Sequence, residues 1–357
     1  MPKRRILILG ASYGSLLGTK LALAGHDTHL ICLPAEAEAI NDRGAMVRMP
    51  IRGREGLLEL STLACPGTVS AGGTDSADPA AFDLVALAMQ EPQYRVPAVR
   101  ALMETVAAAG KPVMSIMNMP PMPFIARLPG IDLGAIRPCY TDPTVWEPFD
   151  PKLMTLASPD PQAFRPPEEG PNVLQVSLPT NFKVAGFDDP ADTALLRELA
   201  ADVEAVRHDP GDGEGAIPLP VKLKVHDSLF VPLAKWAMLL TGNYRCVTAE
   251  GPRAIRDAVH TDPAQSAAIY AWVVEVCQAL GAAPADLVPF EKYAAAARGL
   301  AKPSSAARAL YAGAPNIERV DLLVQTLAAA IGMRHPVVDE TVGLVDARLA
   351  ENRAAAA

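Results

Sequence analysis

No stretch of this sequence stays apolar for the roughly twenty residues that a membrane-spanning helix needs. No membrane partner is therefore expected. Positive charge is short: 32 Lys and Arg stand against 40 Asp and Glu, a net charge of −8. That balance offers no basic surface to nucleic acid or anionic lipid. The five cysteines (Cys32, Cys65, Cys139, Cys246, Cys277) are scattered and form no C-x-x-C pair. This points to free, structural thiols in a reducing compartment. The six histidines make neither H-x-x-x-H nor H-E-x-x-H, so no metal site is expected. Met-Pro-Lys-Arg-Arg runs straight into an apolar segment and leaves no room for a secretory signal, so the expected location is cytoplasmic. Half the residues are apolar, enough in a chain of 357 for two domains with real cores.

The opening segment organises the rest. Ile6-Leu7-Ile8-Leu9 reads as a buried strand, Gly10 to Ser15 as a small-residue turn, and the following run to Leu23 as a helix closed by Gly25. A second apolar run, His29–Leu33, begins the next strand. Strand, turn, helix and strand open a dinucleotide-binding sheet. The helix start presents unpaired N–H groups and its positive dipole end, where a pyrophosphate fits. The G-x-G-x-x-G places hold Gly10, Ser12 and Ser15, while Gly14 and Gly18 stand displaced. Gly10, Ser12, Tyr13, Gly14 and Ser15 are the candidate cofactor-binding turn. A glycine-containing turn that merely packs helix on sheet is the alternative. The turn is also similar to the G-A-S-x-G of short-chain dehydrogenases, but no Tyr is followed four residues on by Lys.

Further along, 35–43 reads as a helix closed by Gly44, 46–60 as a hairpin, 82–89 as a buried strand, 96–109 as a helix and 112–117 as a strand. This alternation predicts an α/β fold: an N-terminal Rossmann-type, doubly wound parallel sheet. Residues 118–138 read as a proline-stiffened loop with a short helix, and 141–170 as a Pro-rich insertion. Strands over 172–178 and 182–185 are expected to pair with each other, followed by a helix over 189–207. His208 to Gly215 (HDPGDGEG) reads as a linker. Beyond it the pattern is helical: 221–249 as one long helix, then 262–280, 284–300, 316–331 and 337–349, with a frayed Ala tail. The expected domains are 1–212, the Rossmann-type unit, and 216–357, an all-helical unit for substrate binding and dimerisation.

The order of these segments resembles the ketopantoate reductase (2-dehydropantoate 2-reductase) family, whose C-terminal domains are 6-phosphogluconate dehydrogenase-like helical bundles. The resemblance rests on several pieces. They are the opening G-A-x-x-G-S-L-L-G, the D-L-V-A-L-A-M-Q-x-x-Q stretch at 83–93, and Met117-Asn118-Met119 in place of Gln-Asn-Gly. Lys235 with Asn243 eight residues on, Ser304-Ser305, Glu318 and Asp321, and the closing G-M-x-x-P-V-V-D-E-T complete them. The resemblance implies hydride transfer between nicotinamide, as NADP or NAD, and a small 2-keto or 2-hydroxy acid. An opine-dehydrogenase-like condensation of an amine with a keto acid, or a Rossmann protein with a non-redox role, are the alternatives.

It also implies roles. Lys235 would protonate the carbonyl oxygen as hydride arrives, Asn243 would orient the substrate, and Glu318 with Ser304 or Ser305 would bind its hydroxyl and carboxylate ends. Gln90 and Asn118 would contact the cofactor, and Asn118 the substrate as well. Each has a structural alternative: a surface lysine, a helix-kinking Asn, a carboxylate at a helix start, and an N-capping serine. Leu33 and Gln90 occupy the places where the family holds a 2′-phosphate with Arg and Lys, and Glu36 is the nearest acidic residue. This leaves NAD and NADP undecided and argues against ketopantoate itself as substrate.

Overall fold

The computed structural model describes residues 2–211, 213 and 215–356. The chain divides into two compact units: one takes the residues up to Met89, Gln93–Phe124 and Thr144–Asp227, the other Gln90–Pro92, Ile125–Pro143 and the residues from Ser228 on.

The first unit opens with β1 (Arg5–Leu9), α1 (Ser12–Leu23), β2 (Asp27–Ile31) and α2 (Pro34–Arg43). It continues through β3 (Met46–Pro50), β4 (Leu57–Ser61), β5 (Val69–Gly72), β6 (Leu84–Leu87), α3 (Pro97–Ala108) and β7 (Val113–Ile116). A short helix α4 (Met122–Ile125) follows, and α5 (Leu133–Ile136) belongs to the second unit. The first unit resumes with β8 (Met154–Ser158), β9 (Gln162–Phe164), β10 (Val173–Leu178), β11 (Phe182–Ala185) and α6 (Pro190–Ala205). It ends with a small ladder of β12 (Arg207–His208) and β13 (Ile217–Pro218), and with β14 (Leu223–His226).

The main sheet runs β14-β11-β8-β7-β6-β1-β2-β5. Neighbours are parallel throughout except β8 and β11. Ile6 to Leu9 are fully buried, because a central parallel strand is covered on both faces; hence the unbroken apolar run. The chain leaves β1 for β2 on one side and later places β6 on the other. That reversal is the switch point at which doubly wound sheets hold ligands. A second sheet, β4-β3-β10-β9, carries the expected hairpin.

Several expectations are corrected here. The 141–170 stretch is not an insertion: it supplies β8, buried and parallel to β7 inside the main sheet, and β9 of the second sheet. Its prolines fall on both sides of β8, Pro143, Pro148 and Pro151 before it and Pro159, Pro161, Pro166 and Pro167 after it, so composition concealed the strand. β10 and β11 do not pair with each other; β10 joins β3 and β9, and β11 joins β8 and β14. β5 passed unnoticed because its four residues, Val-Ser-Ala-Gly, carry little apolar signal. The 221–249 stretch is not one helix. It begins with β14, which extends the main sheet, so the first unit continues past 208–215 to Asp227. Asp212 and Glu214 of that stretch lie outside the described residues.

The second unit is helical apart from a two-residue hairpin, β15 (Val247–Thr248) with β16 (Gly251–Pro252), among the described residues. Besides α5, its helices are α7 (Lys235–Met238), α8 (Ile255–His260), α9 (Pro263–Ala279), α10 (Phe290–Ala297), α11 (Ser305–Tyr311), α12 (Val320–Ala330) and α13 (Pro336–Ala356). Asp262 caps α9, accepting the Gln265 amide at 2.9 Å. The expected 284–300 helix is a short turn, Pro284–Asp286, and then α10, separated at Pro289. The Ala tail remains helical to Ala356.

Candidate active-site residues

The turn after β1 is built for close approach. Gly10 has φ +107°, and a Cβ there would lie 2.6 Å from Met89 Cγ and 2.8 Å from the Ala88 carbonyl oxygen. Only glycine fits. Its amide donates to the Ile31 carbonyl at 2.8 Å, tying the turn to the end of β2. Gly14 and Gly18 serve helix–sheet packing: a Cβ would meet Ile8 at 2.9 Å from the first and Thr28 at 3.2 Å from the second. The displaced glycines thus do what the third glycine of the fingerprint does. Ala11, the N-cap residue of α1, makes no side-chain cap to the helix start. Ser12 is exposed there. Ser15 is buried and its hydroxyl is committed to the Ala11 carbonyl. Tyr13 donates to the Pro161 carbonyl at 3.1 Å and meets the Phe182 ring edge-on. A turn without room for side chains and a helix start without a cap fit a pyrophosphate. Asn118 is half-buried just past the carboxyl end of β7, the end of the sheet where such folds bind ligands. Gln90 is exposed and follows β6 in sequence.

In the second unit the chemistry gathers around a π turn. α7 continues into Leu239–Asn243, where the Tyr244 amide bonds the Leu239 carbonyl five residues back. One residue is thereby inserted into the helix. In a regular helix, residues eight apart diverge by about 80°. With one residue inserted, eight residues complete two turns, and Lys235 and Asn243 fall on one face. Burial agrees: from 232 to 247 every residue is buried except Lys235, Met238 and Asn243, which are half-buried.

The π turn has visible causes. The Tyr293 hydroxyl donates to the Met238 carbonyl at 3.1 Å, the Cys246 thiol to Gly242 at 3.4 Å, and Ser304 to Asn243 at 2.7 Å. Side chains take carbonyls that a continuous helix would use itself.

The same turn anchors the next candidates. The Tyr244 hydroxyl donates to the Glu318 carbonyl at 2.5 Å and accepts the Val320 amide at 3.0 Å. Glu318, buried at 8% exposure, is thus fixed to the residue following Asn243. Ser304 bonds the Asn243 carbonyl and also caps α11 through the Ala307 amide at 3.1 Å. Ser305 is exposed. Arg245 is spent on Thr241, Gln265 and Ser266. Asp321, wholly buried, is bonded by Arg319, which also reaches Asp346.

Sequence reasoning missed Glu91. Burial pushes its carboxyl up to about 7, against the Thr141 amide and hydroxyl that it accepts at 3.0 and 2.8 Å; the Glu318 charge pushes in the same direction. No motif marked it, since a single acidic residue beside a proline looks like surface. It missed Tyr293 as well, which shapes the π turn from α10.

A parallel-sheet unit with a switch-point glycine turn and a separate helical unit define a Rossmann-plus-helical-bundle protein. The fold is that of the ketopantoate reductases. No protein-family model and no curated protein sequence matches the chain. Solved structures do. The 2-dehydropantoate 2-reductase of Methylococcus capsulatus superposes with a TM-score of 0.66 at 13% identity, over 98% of this chain and 97% of that one. A D-mandelate dehydrogenase in ternary complex with NADH and anilino(oxo)acetate gives 0.62 at 15%, over 98% and 99%. A dimeric ketopantoate reductase of Staphylococcus aureus gives 0.58 at 11%, over 98% and 99%.

Proposed function

We propose that this chain is an NAD(P)-dependent oxidoreductase that moves hydride between nicotinamide and a small 2-keto or 2-hydroxy acid. The observation that carries the reading is the π turn: it brings an amine and an amide, Lys235 and Asn243, onto one open stripe of an otherwise buried helix. Likeness to ketopantoate reductases and to a D-mandelate dehydrogenase in fold supports the reaction class.

The nicotinamide would supply hydride when bound, with the pyrophosphate of the dinucleotide at the Gly10 turn. Lys235 donates a proton to the carbonyl oxygen, where negative charge grows during reduction. Asn243 gives a second donor that orients the carbonyl or the carboxylate beside it. Glu318 accepts from the substrate hydroxyl, Ser305 donates to the other end, and Asn118 helps align substrate and nicotinamide ribose. Ser304 acts as a positioning residue, because its hydroxyl is already bonded to the Asn243 carbonyl. The reading takes a cytoplasmic enzyme and a homodimer, as in the dimeric ketopantoate reductase of Staphylococcus aureus.

The test begins with NADH and NADPH titrations followed by nucleotide fluorescence. Keto acids are then screened with and without amines, which separates simple reduction from reductive condensation. Lys235→Met should lower kcat by about 10²- to 10⁴-fold with cofactor affinity unchanged. Full turnover in that variant overturns the proposed acid.

A further inference from the structure

Resting on that reading, we infer that Glu36 is the acceptor for the adenosine ribose diol, fixed in place by Arg165, and that the chain therefore prefers NAD(H) to NADP(H). Glu36 lies in the first turn of α2, directly after β2. Its Oε2 accepts the Leu33 amide at 3.2 Å, which turns the carboxylate back toward the strand end. Its Oε1 pairs with Arg165 Nη2 at 3.1 Å. The same nitrogen donates to the Ala11 carbonyl at 2.9 Å. One guanidinium nitrogen therefore holds both the phosphate-binding turn and the carboxylate, and it sets Glu36 beside the dinucleotide path. In Rossmann units an acidic residue beyond the second strand receives the ribose 2′-hydroxyl.

Charge pairing bears on the choice between the two cofactors. Arg165 Nη1 donates to the Pro171 carbonyl and Nη2 to the Ala11 carbonyl, and Nη2 also forms the ion pair with Glu36. The guanidinium charge is thus already shared with a carboxylate and its hydrogen bonds go to backbone carbonyls. A 2′-phosphate would face the Glu36 carboxylate, and Leu33, exposed beside it, offers no charge. Each Glu36 oxygen, by contrast, carries one bond and retains acceptor capacity for a hydroxyl. Arg165 is a positioning residue here, although a lone arginine near this site suggests a phosphate clamp.

The experiment is a pair of Kd measurements, NADH and NADPH on the full chain, with Glu36→Gln and Arg165→Met alongside. The wild-type protein should bind NADH at least about tenfold more tightly, since a 2′-phosphate would be placed against the like charge of Glu36. Glu36→Gln keeps an acceptor for the Leu33 amide and should bring the two constants together, chiefly by improving NADPH. Arg165→Met should weaken NADH and leave the far-ultraviolet spectrum unchanged. NADPH binding as tightly as NADH in the wild type, or an unchanged ratio in Glu36→Gln, overturns the inference and leaves the oxidoreductase reading standing. Binding of neither nucleotide overturns both.

Discussion

A Cβ on Gly242 would lie 2.0 Å from the Tyr293 hydroxyl oxygen. The glycine and the tyrosine are therefore a matched pair. Tyr293 reaches over the bare backbone to bond the Met238 carbonyl, and the helix answers with a π turn. Gly242→Ala should push Tyr293 away and cost about 1–3 kcal/mol, the usual range for overpacking a tight core. Tyr293→Phe removes the colliding oxygen, so the double variant should recover part of that loss. Denaturant unfolding of the two single variants and the double variant measures the coupling. Strict additivity would mean that the contact does not hold the turn.

Gly10→Ala should be worse than an ordinary loop substitution. The residue sits at φ +107°, and the nearest obstacle besides the flexible Met89 is the Ala88 backbone carbonyl, which cannot rotate away. The variant should lose nicotinamide binding by at least about tenfold, because the turn must open where the pyrophosphate is to sit. Calorimetric titration against the wild-type protein checks this. Undiminished affinity would place the nucleotide elsewhere.

The two serines at the start of α11 divide differently. Ser304→Ala removes a cap and the bond to Asn243, at a cost of about 0.5–2 kcal/mol in stability. If Asn243 orients the substrate, kcat should fall as well. Ser305→Ala should leave the unfolding midpoint unchanged and raise KM alone, since its hydroxyl is exposed. Thermal unfolding set beside steady-state kinetics separates the two.

What could be read from the residues follows their physics. β1 was legible because a strand covered on both faces must be apolar throughout, and α9 because Asp262 and Gly281 mark its ends. β8 was not, since its prolines lie just outside the strand and no periodicity survives in five buried residues. The eight-residue spacing of Lys235 and Asn243 was visible, but its meaning was not. On a regular helix it would separate them, and the π turn depends on side chains remote in sequence, Tyr293 and Ser304, that take its carbonyls. Arg165 was invisible for the same reason: its partners Ala11 and Glu36 come from the other end of the unit.

Two buried groups should give the protein a local stability minimum near neutral pH. Glu91 is raised to about 7 from 4.5, so from pH 4.5 to 7 the unfolded chain has released a proton that the folded chain keeps. Stability therefore falls as pH rises through that window, and the loss is complete above 7. Lys20, 1% exposed in α1 and donating to the Pro220 carbonyl at 2.9 Å, is lowered by burial from 10.5 to about 7. Between pH 7 and 10.5 the unfolded chain holds a proton that the folded chain does not, so stability rises with pH there. Each limb has a slope of up to about 1.4 kcal/mol per pH unit. Glu91→Gln should flatten the acid limb and Lys20→Met the alkaline limb, read as urea midpoints between pH 5 and 10. A Lys20→Met variant that kept the alkaline slope would show that another group sets it. A Glu91→Gln variant with the wild-type acid slope would show that the Glu91 carboxylate is already charged in the folded chain at pH 5.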